Sequence, residues 1–285
     1  MADTILADRP IGVFDSGVGG LTVLRALRAA LPAESYVYLG DTARLPYGTK
    51  SAHTVARYAL QAAEELVTRD IKCLVLACNT ASAAALPALQ QRFGDLPVIG
   101  VIEPGARAAC AASSTGRIAV LATESTVRGG AYSQAILRLR PGAQVTAIAC
   151  ALFVALAEEG WIDGPVAVAA AARYLAPLGA GNAGFLEPPD TVVLGCTHFP
   201  ALSGVIAAQL GTHVWVIDSA ATTAAVVQSE LASRELLRSA VGGGGAGAAP
   251  TVAFLVTDSV ERFAAVGARF YGAAIAPDDV ELIDL

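Results

Sequence analysis

Short apolar runs rich in Val, Ile and Leu recur along the chain, each followed by a longer stretch whose apolar residues return at helical spacing. Strands alternating with helices in this way predict a parallel sheet covered by helices, an α/β fold. The pattern places strands at about 11–14, 36–39, 73–77, 97–102, 117–122, 145–149, 191–195, 213–217 and 252–256. It places helices at 20–31, 51–69, 81–93, 127–139, 164–176, 200–210, 220–239 and 259–271.

The order of elements repeats. Strand, polar turn, helix and strand open both halves, and both then reach an apolar strand that ends in a small residue and a cysteine: "LVLACNTASAAALPALQ" at 74–90 and "TVVLGCTHFPALSGVIAAQL" at 191–210. Asp15 to Asp41 matches Thr123 to Cys150 in spacing, and Cys78 to Glu103 matches Cys196 to Asp218, which predicts two homologous α/β units. One further helix, strand and helix follow Asp218, too little for a third unit, and are expected to join the first sheet. The expected division is residues 1–103 with 219–285 as a discontinuous first domain and 104–218 as the second. The "GGGGAGAAP" run at 242–250 reads as a flexible surface loop.

Composition narrows the class. With 285 residues, 54% hydrophobic and 15% charged, the chain is large enough for one sizeable or two modest domains. A net charge of −6 argues against a nucleic-acid surface, which shows as a basic patch. Apolar stretches are too often interrupted for a membrane span, and the start "MADTILADRP" lacks the basic and apolar regions of a secretory signal. A cytoplasmic location is expected, with the five cysteines reduced. An odd cysteine count without a CxxC pair, beside three histidines, disfavours a disulfide framework or a zinc site.

Ligands of open parallel sheets collect at the carboxyl ends of the strands. That rule brings Asp15 and Ser16, Asp41, Cys78 to Thr80, Thr123 to Thr126, Cys150 and Cys196 to His198 to ligand-facing edges. A single cysteine at a strand end is by default a small buried hydrophobe. Two in matched contexts suit a reaction that takes a proton from one face of a carbon and returns one to the other. A thiol's ordinary pKa of about 8.5 lies near neutrality, and a following helix N-terminus can lower it. "DSGVGGLT" at 15–22 is equally an anion site, with backbone N–H groups and Ser16 for a carboxylate, or a turn that needs glycine. "PYGT" at 46–49 and "TEST" at 123–126 add hydroxyls near the cleft. His198 stands beside a cysteine and could hold its thiolate, whereas His53 and His213 read as structural.

"FDSGVGGLTVL", "GDTARLPYGTK", "ACNTASA", "GVIEPGA", "EEG" and "LGCTHFPAL", in this order over residues 11–271, resemble bacterial glutamate racemase. The resemblance implies two α/β domains related by pseudo-twofold symmetry around a cofactor-independent site that interconverts L- and D-glutamate for peptidoglycan. By motif, Cys78 and Cys196 would each take the α-proton of one enantiomer, assisted by Asp15 and His198 respectively. Asp15, Ser16, Tyr47, Gly48, Asn79, Thr80, Thr126, Thr197 and His198 match substrate-binding positions, and Asp41 and Glu158 match accessory carboxylates. A homodimer is expected, and neither a metal nor another cofactor. Lys50, at the end of "GDTARLPYGTK", and Lys72 are the only lysines, and neither is among these matched site positions, where a pyridoxal Schiff base would need one.

"CALFVALAEEG" departs from the family pattern, with Ala151 and Ala155 where prolines are usual, and the 242–249 glycine tract replaces a shorter connection. Rival readings are an aspartate or hydantoin racemase, a related decarboxylase, a non-catalytic binding module such as a gyrase partner, and a thiol-redox protein. The joint presence of "DSGVGG", "PYG" and "GCTH" with both cysteines favours glutamate.

Overall fold

A computed structural model of the chain describes residues 6–179, 187–239 and 249–285. Most of the glycine tract therefore lies outside the described residues. Among the described residues, ten strands form two sheets, parallel throughout: β1 (Ile11–Asp15), β2 (Tyr36–Gly40), β3 (Cys73–Leu76), β4 (Val98–Gly100), β5 (Arg117–Ala122), β6 (Gln144–Ala149), β7 (Thr191–Gly195), β8 (Trp215–Asp218), β9 (Val252–Val256) and β10 (Val280–Leu282). The first sheet runs β10-β9-β2-β1-β3-β4 and the second β6-β5-β7-β8.

The repeat read from the sequence is visible in that order. Strands one to four of each half stand in the same sequence, second-first-third-fourth, and β9 with β10 extends the first sheet on its β2 side. In each sheet the order reverses between the first and third strands. The crevice outside the carboxyl ends at such a switch point is where open α/β sheets take ligands. Cys78 follows β3 and Cys196 follows β7, so each thiol stands at its sheet's switch point.

Central strands β1, β3 and β7 are buried along their length and β5 nearly so, which explains their unbroken apolar character. The second sheet's edges, β6 and β8, are partly exposed, and their sequences are more mixed. Among the helices, Ala52–Thr68 is capped by Ser51, Asn79–Phe93 by the Cys78 thiol itself, and Ser219–Ser233 by Asp218.

Several elements differ from the sequence pattern. Helix Ile102–Ala112 occupies a stretch to which the sequence pattern gave no helix, and only its first residue fell in the strand expected at 97–102. Pro104 lies in its first turn, where proline is tolerated because the N–H it lacks would have no partner. Leu152–Glu159 forms a further helix. The expected 127–139 helix is two, Glu124–Gly129 and Ala131–Leu139, divided at Gly130 in the left-handed region. Helix 219–233 stops short of the expected 239, and the 200–210 helix opens as a 3-10 turn, Phe199–Leu202, before its α-helical part at Ser203–Leu210. Strand β10 was not expected from its short, charged sequence.

Candidate active site

A cavity of about 370 Å³ lies between the two sheets' carboxyl edges. Ser16, Tyr47, Gly48, Cys78, Asn79 and Thr80 line it from the first half, and Glu158, Cys196, Thr197 and His198 from the second. Another cleft of about 390 Å³, between helices 79–93, 102–112 and 219–233, is lined by no cysteine or histidine. The two sequence-matched thiols thus share one cavity.

The halves approach closely because two glycines carry no side chain. A Cβ on Gly19 would fall 2.4 Å from Thr197 Oγ1 and 2.5 Å from His198 Nδ1, and one on Gly48 would fall 2.8 Å from Thr123 Cβ. Neither glycine has a positive φ, so close approach, not backbone conformation, is what requires them.

The N–H groups of the "DSGVGG" turn are directed at the turn's own carboxyl group, Asp15. Gly17 N–H donates to Asp15 Oδ2 at 2.9 Å, and the N–H groups of Ser16 and Gly20 also favour the Asp15 carboxylate. Asp15 is fully buried and does not line the cavity. Burial raises its pKa, opposed by His198 and these N–H groups. The turn therefore presents to the cavity the Ser16 hydroxyl rather than a free row of N–H donors.

Cys78 and Cys196 have unlike surroundings. Cys78 Sγ accepts the Ala81 N–H at 3.4 Å and lies 3.6 Å from Ser16 Oγ. Burial, and after it the Asp15 carboxylate, push this thiol up to about 12, against the pull of those two hydrogen bonds. The lowering by the helix N-terminus foreseen from the sequence is present but overcome. Cys196 precedes a 3-10 turn rather than an α-helix, and its Sγ lies 3.8 Å from His198 Nδ1. His198 Nε2 meets Glu158 Oε1 at 3.1 Å. Burial works to lower the His198 pKa, but hydrogen bonds with Cys196 and Glu158, with the charges of Cys196 and Asp15, outweigh it and lift the value to about 10. Glu158 is held below its ordinary value first by the His198 hydrogen bond. The last helix, Val260–Tyr271, completes this side: Arg262 Nη2 donates to Glu158 Oε2 at 3.2 Å, Arg269 Nη1 to the Glu158 carbonyl at 2.6 Å, and Phe270 packs edge-on against the imidazole.

Asp41 and Thr126 stand behind the cavity wall. Asp41 is fully buried, accepting from the Tyr47 hydroxyl, from Thr257 Oγ1 at 2.9 Å and from Arg44 Nε at 2.6 Å, so it fixes the Tyr47 side of the wall. Thr126 joins Thr80 and Thr123 in a triangle of hydroxyls 2.9–3.2 Å apart that ties the halves together. Neither lysine lines the cavity: Lys72 pairs with Glu34 at the amino end of β3.

A family model described as Asp/Glu/Hydantoin racemase matches residues 11–227. The chain belongs to that racemase family. A glutamate racemase of Geobacter metallireducens is 51% identical over 267 residues, 94% of each chain. A solved glutamate racemase from Francisella tularensis, in complex with D-glutamate, aligns over 98% of both chains with TM-score 0.87 and 34% identity. A glutamate racemase isoform from Bacillus anthracis aligns over 97% of this chain and 98% of its own, with TM-score 0.88 and 37% identity. These structures share the fold of two parallel sheets.

In this racemase-family chain the lining also includes residues the sequence did not single out as ligands: Leu45, Pro46 and Thr49 beside Tyr47, Thr123 and Glu124, and Ala151, Val154 and Ala155 from the segment bearing Glu158. The "PYGT", "TEST" and "CALFVALAEEG" stretches signalled the place but not the individual side chains. Val154 carried no signal, since an apolar residue on a short helix reads as core.

Proposed function

We propose that this chain interconverts L- and D-glutamate without a cofactor, with Cys78 and Cys196 as the two acid–base groups. The observation that carries the reading is that two thiols, from corresponding points of two sheets in the same strand order, line one cavity. Groups on opposite sides of a bound α-carbon can invert it, one accepting its proton as the other donates.

The unlike surroundings assign starting roles. Cys78, pushed up to about 12, is a thiol at neutral pH and serves first as the acid. His198 Nδ1 lies 3.8 Å from the Cys196 sulfur, a polar partner beside it, and Cys196 serves first as the base. The Cys196 sulfur takes the α-proton, leaving the electron pair on the α-carbon, and Cys78 delivers its proton to the opposite face. The products are the mirror-image amino acid, a Cys196 thiol and a Cys78 thiolate. The reverse reaction uses the roles exchanged. The carbanion-like transition state needs preorganised donors in a cleft closed to water, which Ser16, Asn79, Thr80 and Thr197 are placed to supply.

The same reading takes residues 1–103 with 219–285 and 104–218 as two domains that close on glutamate. It takes the protein as a cytoplasmic homodimer whose D-glutamate goes to peptidoglycan and cell shape. Consistent with that setting, no described helix is long and apolar enough to cross a membrane.

Proton NMR of the protein with each enantiomer in D2O, alongside circular dichroism, tests the activity. Loss of the α-proton signal and of optical activity from both hands is expected; silence from both would overturn the assignment. Cys78→Ser and Cys196→Ser should each lower racemisation by about 10²–10⁴-fold. A near wild-type rate in either would overturn the two-thiol mechanism.

A further inference from the structure

Tyr132 does not line the cavity, yet its hydroxyl donates to Asn79 Oδ1 at 2.7 Å, and Asn79 does line it. Tyr132 is 2% exposed and Asn79 3%. With Oδ1 engaged, the amide retains its Nδ2 donors, and Nδ2 is buried without a hydrogen-bond partner among the described residues. A buried donor left open costs about 1–3 kcal/mol, so it marks a place where a ligand acceptor belongs.

An asparagine amide can present either end by turning over, and its two ends are opposite in hydrogen-bonding sense. Turned over, Asn79 would place its carbonyl oxygen toward the ligand and repel a carboxylate. What decides the orientation is whether the group behind it donates or accepts. Burial raises the Tyr132 pKa, so the phenol keeps its proton and donates it to Asn79 Oδ1.

The ring has no room to move. A Cβ on Gly105 would lie 3.2 Å from the Tyr132 hydroxyl oxygen, and one on Gly195 would lie 3.0 Å from Tyr132 Cε2. Gly195 immediately precedes Cys196, and Gly105 lies in the helix that enters the second half. Two residues without side chains thus form a slot that holds the phenol against Asn79.

We propose that Tyr132 is a positioning residue: held between Gly105 and Gly195, it fixes the Asn79 amide so that Nδ2 donates to a carboxylate oxygen of the bound amino acid. The inference rests on the racemase reading above for its ligand. It assigns Tyr132, which touches no substrate, an effect on binding exerted only through Asn79.

The test is a double-mutant cycle on the full-length protein, with kcat and KM measured from both enantiomers and thermal unfolding followed for each variant. Tyr132→Phe removes the hydroxyl and keeps the ring. It should raise KM about five- to tenfold, the loss of one hydrogen bond's orientation, while kcat changes less. The fall in kcat/KM must be equal from both enantiomers, because their equilibrium constant is one. In an Asn79→Ala background the same substitution should change KM by less than about twofold, the non-additivity of residues acting as one unit. Equal effects of Tyr132→Phe with and without Asn79 would overturn the proposal and leave Tyr132 a packing residue. Wild-type protein inactive on both enantiomers would instead overturn the racemase reading. Should Tyr132→Phe fail to fold, the wild type still decides the proposal through its Asn79 side-chain amide resonance, assigned by its loss in Asn79→Ala. A shift on adding glutamate supports the proposal, and an unmoved resonance under saturating glutamate overturns it.

Discussion

The two thiols are alike in sequence and unlike in environment, and their chemistry follows the environment. Cys78 sits against the buried Asp15 carboxylate, and Cys196 against an imidazole raised to about 10. With its thiol pushed up to about 12, Cys78 at pH 8 is ionised in on the order of one molecule in 10⁴. Its alkylation by iodoacetamide in the glutamate-free protein, followed by mass spectrometry, should still be accelerating at pH 10; a plateau near pH 8.5 would contradict that environment. The His198–Glu158 pair makes a second prediction. The raised His198 contributes stability that is complete below its ordinary 6.5 and is lost as pH rises toward about 10. The depressed Glu158 contributes stability present above its ordinary 4.5 and lost as pH falls through its folded value. The unfolding-temperature gap between wild type and Glu158→Gln should therefore be widest near pH 5–6.5 and narrow toward pH 10. A gap that does not vary with pH would separate Glu158 from His198. Both cysteines were legible in sequence because a cysteine ended each matched strand. The Asp15 carboxylate's turning inward was not, because burial and hydrogen-bond direction depend on how Gly19 and Gly20 pack.

At the scale of elements, strands were legible wherever both faces are buried, since a continuous apolar run has one reading. Two of the misread segments have a local cause. Gly130 divides a continuous helical pattern, and β10 is an edge strand whose outer residues have no apolar requirement. One joint between elements carries a further prediction. Lys72, before β3, is buried with Glu34, before β2, and its Nζ also donates to the carbonyl of Leu236 at 2.9 Å after helix 219–233. Glu34 Oε1 in turn accepts the Arg238 N–H at 2.9 Å. Removing one charge strands the other in a buried site, so Lys72→Ala should cost about 3–5 kcal/mol in urea unfolding. A loss below about 1 kcal/mol would show that water reaches the pair. Being at the amino end of its strand, opposite the cavity, the substitution should leave the KM of the protein that remains folded unchanged.

Over the whole molecule, the internal repeat was legible as spacing and appears in the structure as one strand order used twice. The joining of β9 to the first sheet was also foreseen, from the shortness of the chain after Asp218, though not that β2 would be its neighbour. The fit of the halves was not foreseen, because it rests on absent side chains at Gly19 and Gly48 and on the three-hydroxyl contact of Thr80, Thr123 and Thr126. A ligand held between the halves stabilises the assembled molecule by mass action. Glutamate at one hundred times its Kd should add about 2.7 kcal/mol to unfolding. An unchanged melting curve at that concentration would mean that glutamate does not bind the folded form preferentially.

The chain passes from the first sheet to the second after Gly100 and returns at Ser219, and the two passages lie side by side: a Cβ on Gly105 would sit 3.2 Å from Ser219 Cβ, and helices 102–112 and 219–233 pack together. Two adjacent tethers behave as a door's paired pins, free in one rotation and stiff against twist and slide. In the proposed closure on glutamate, tethers so placed would confine the movement to a single arc and return Cys78 and Cys196 to the same separation without any further device to align them.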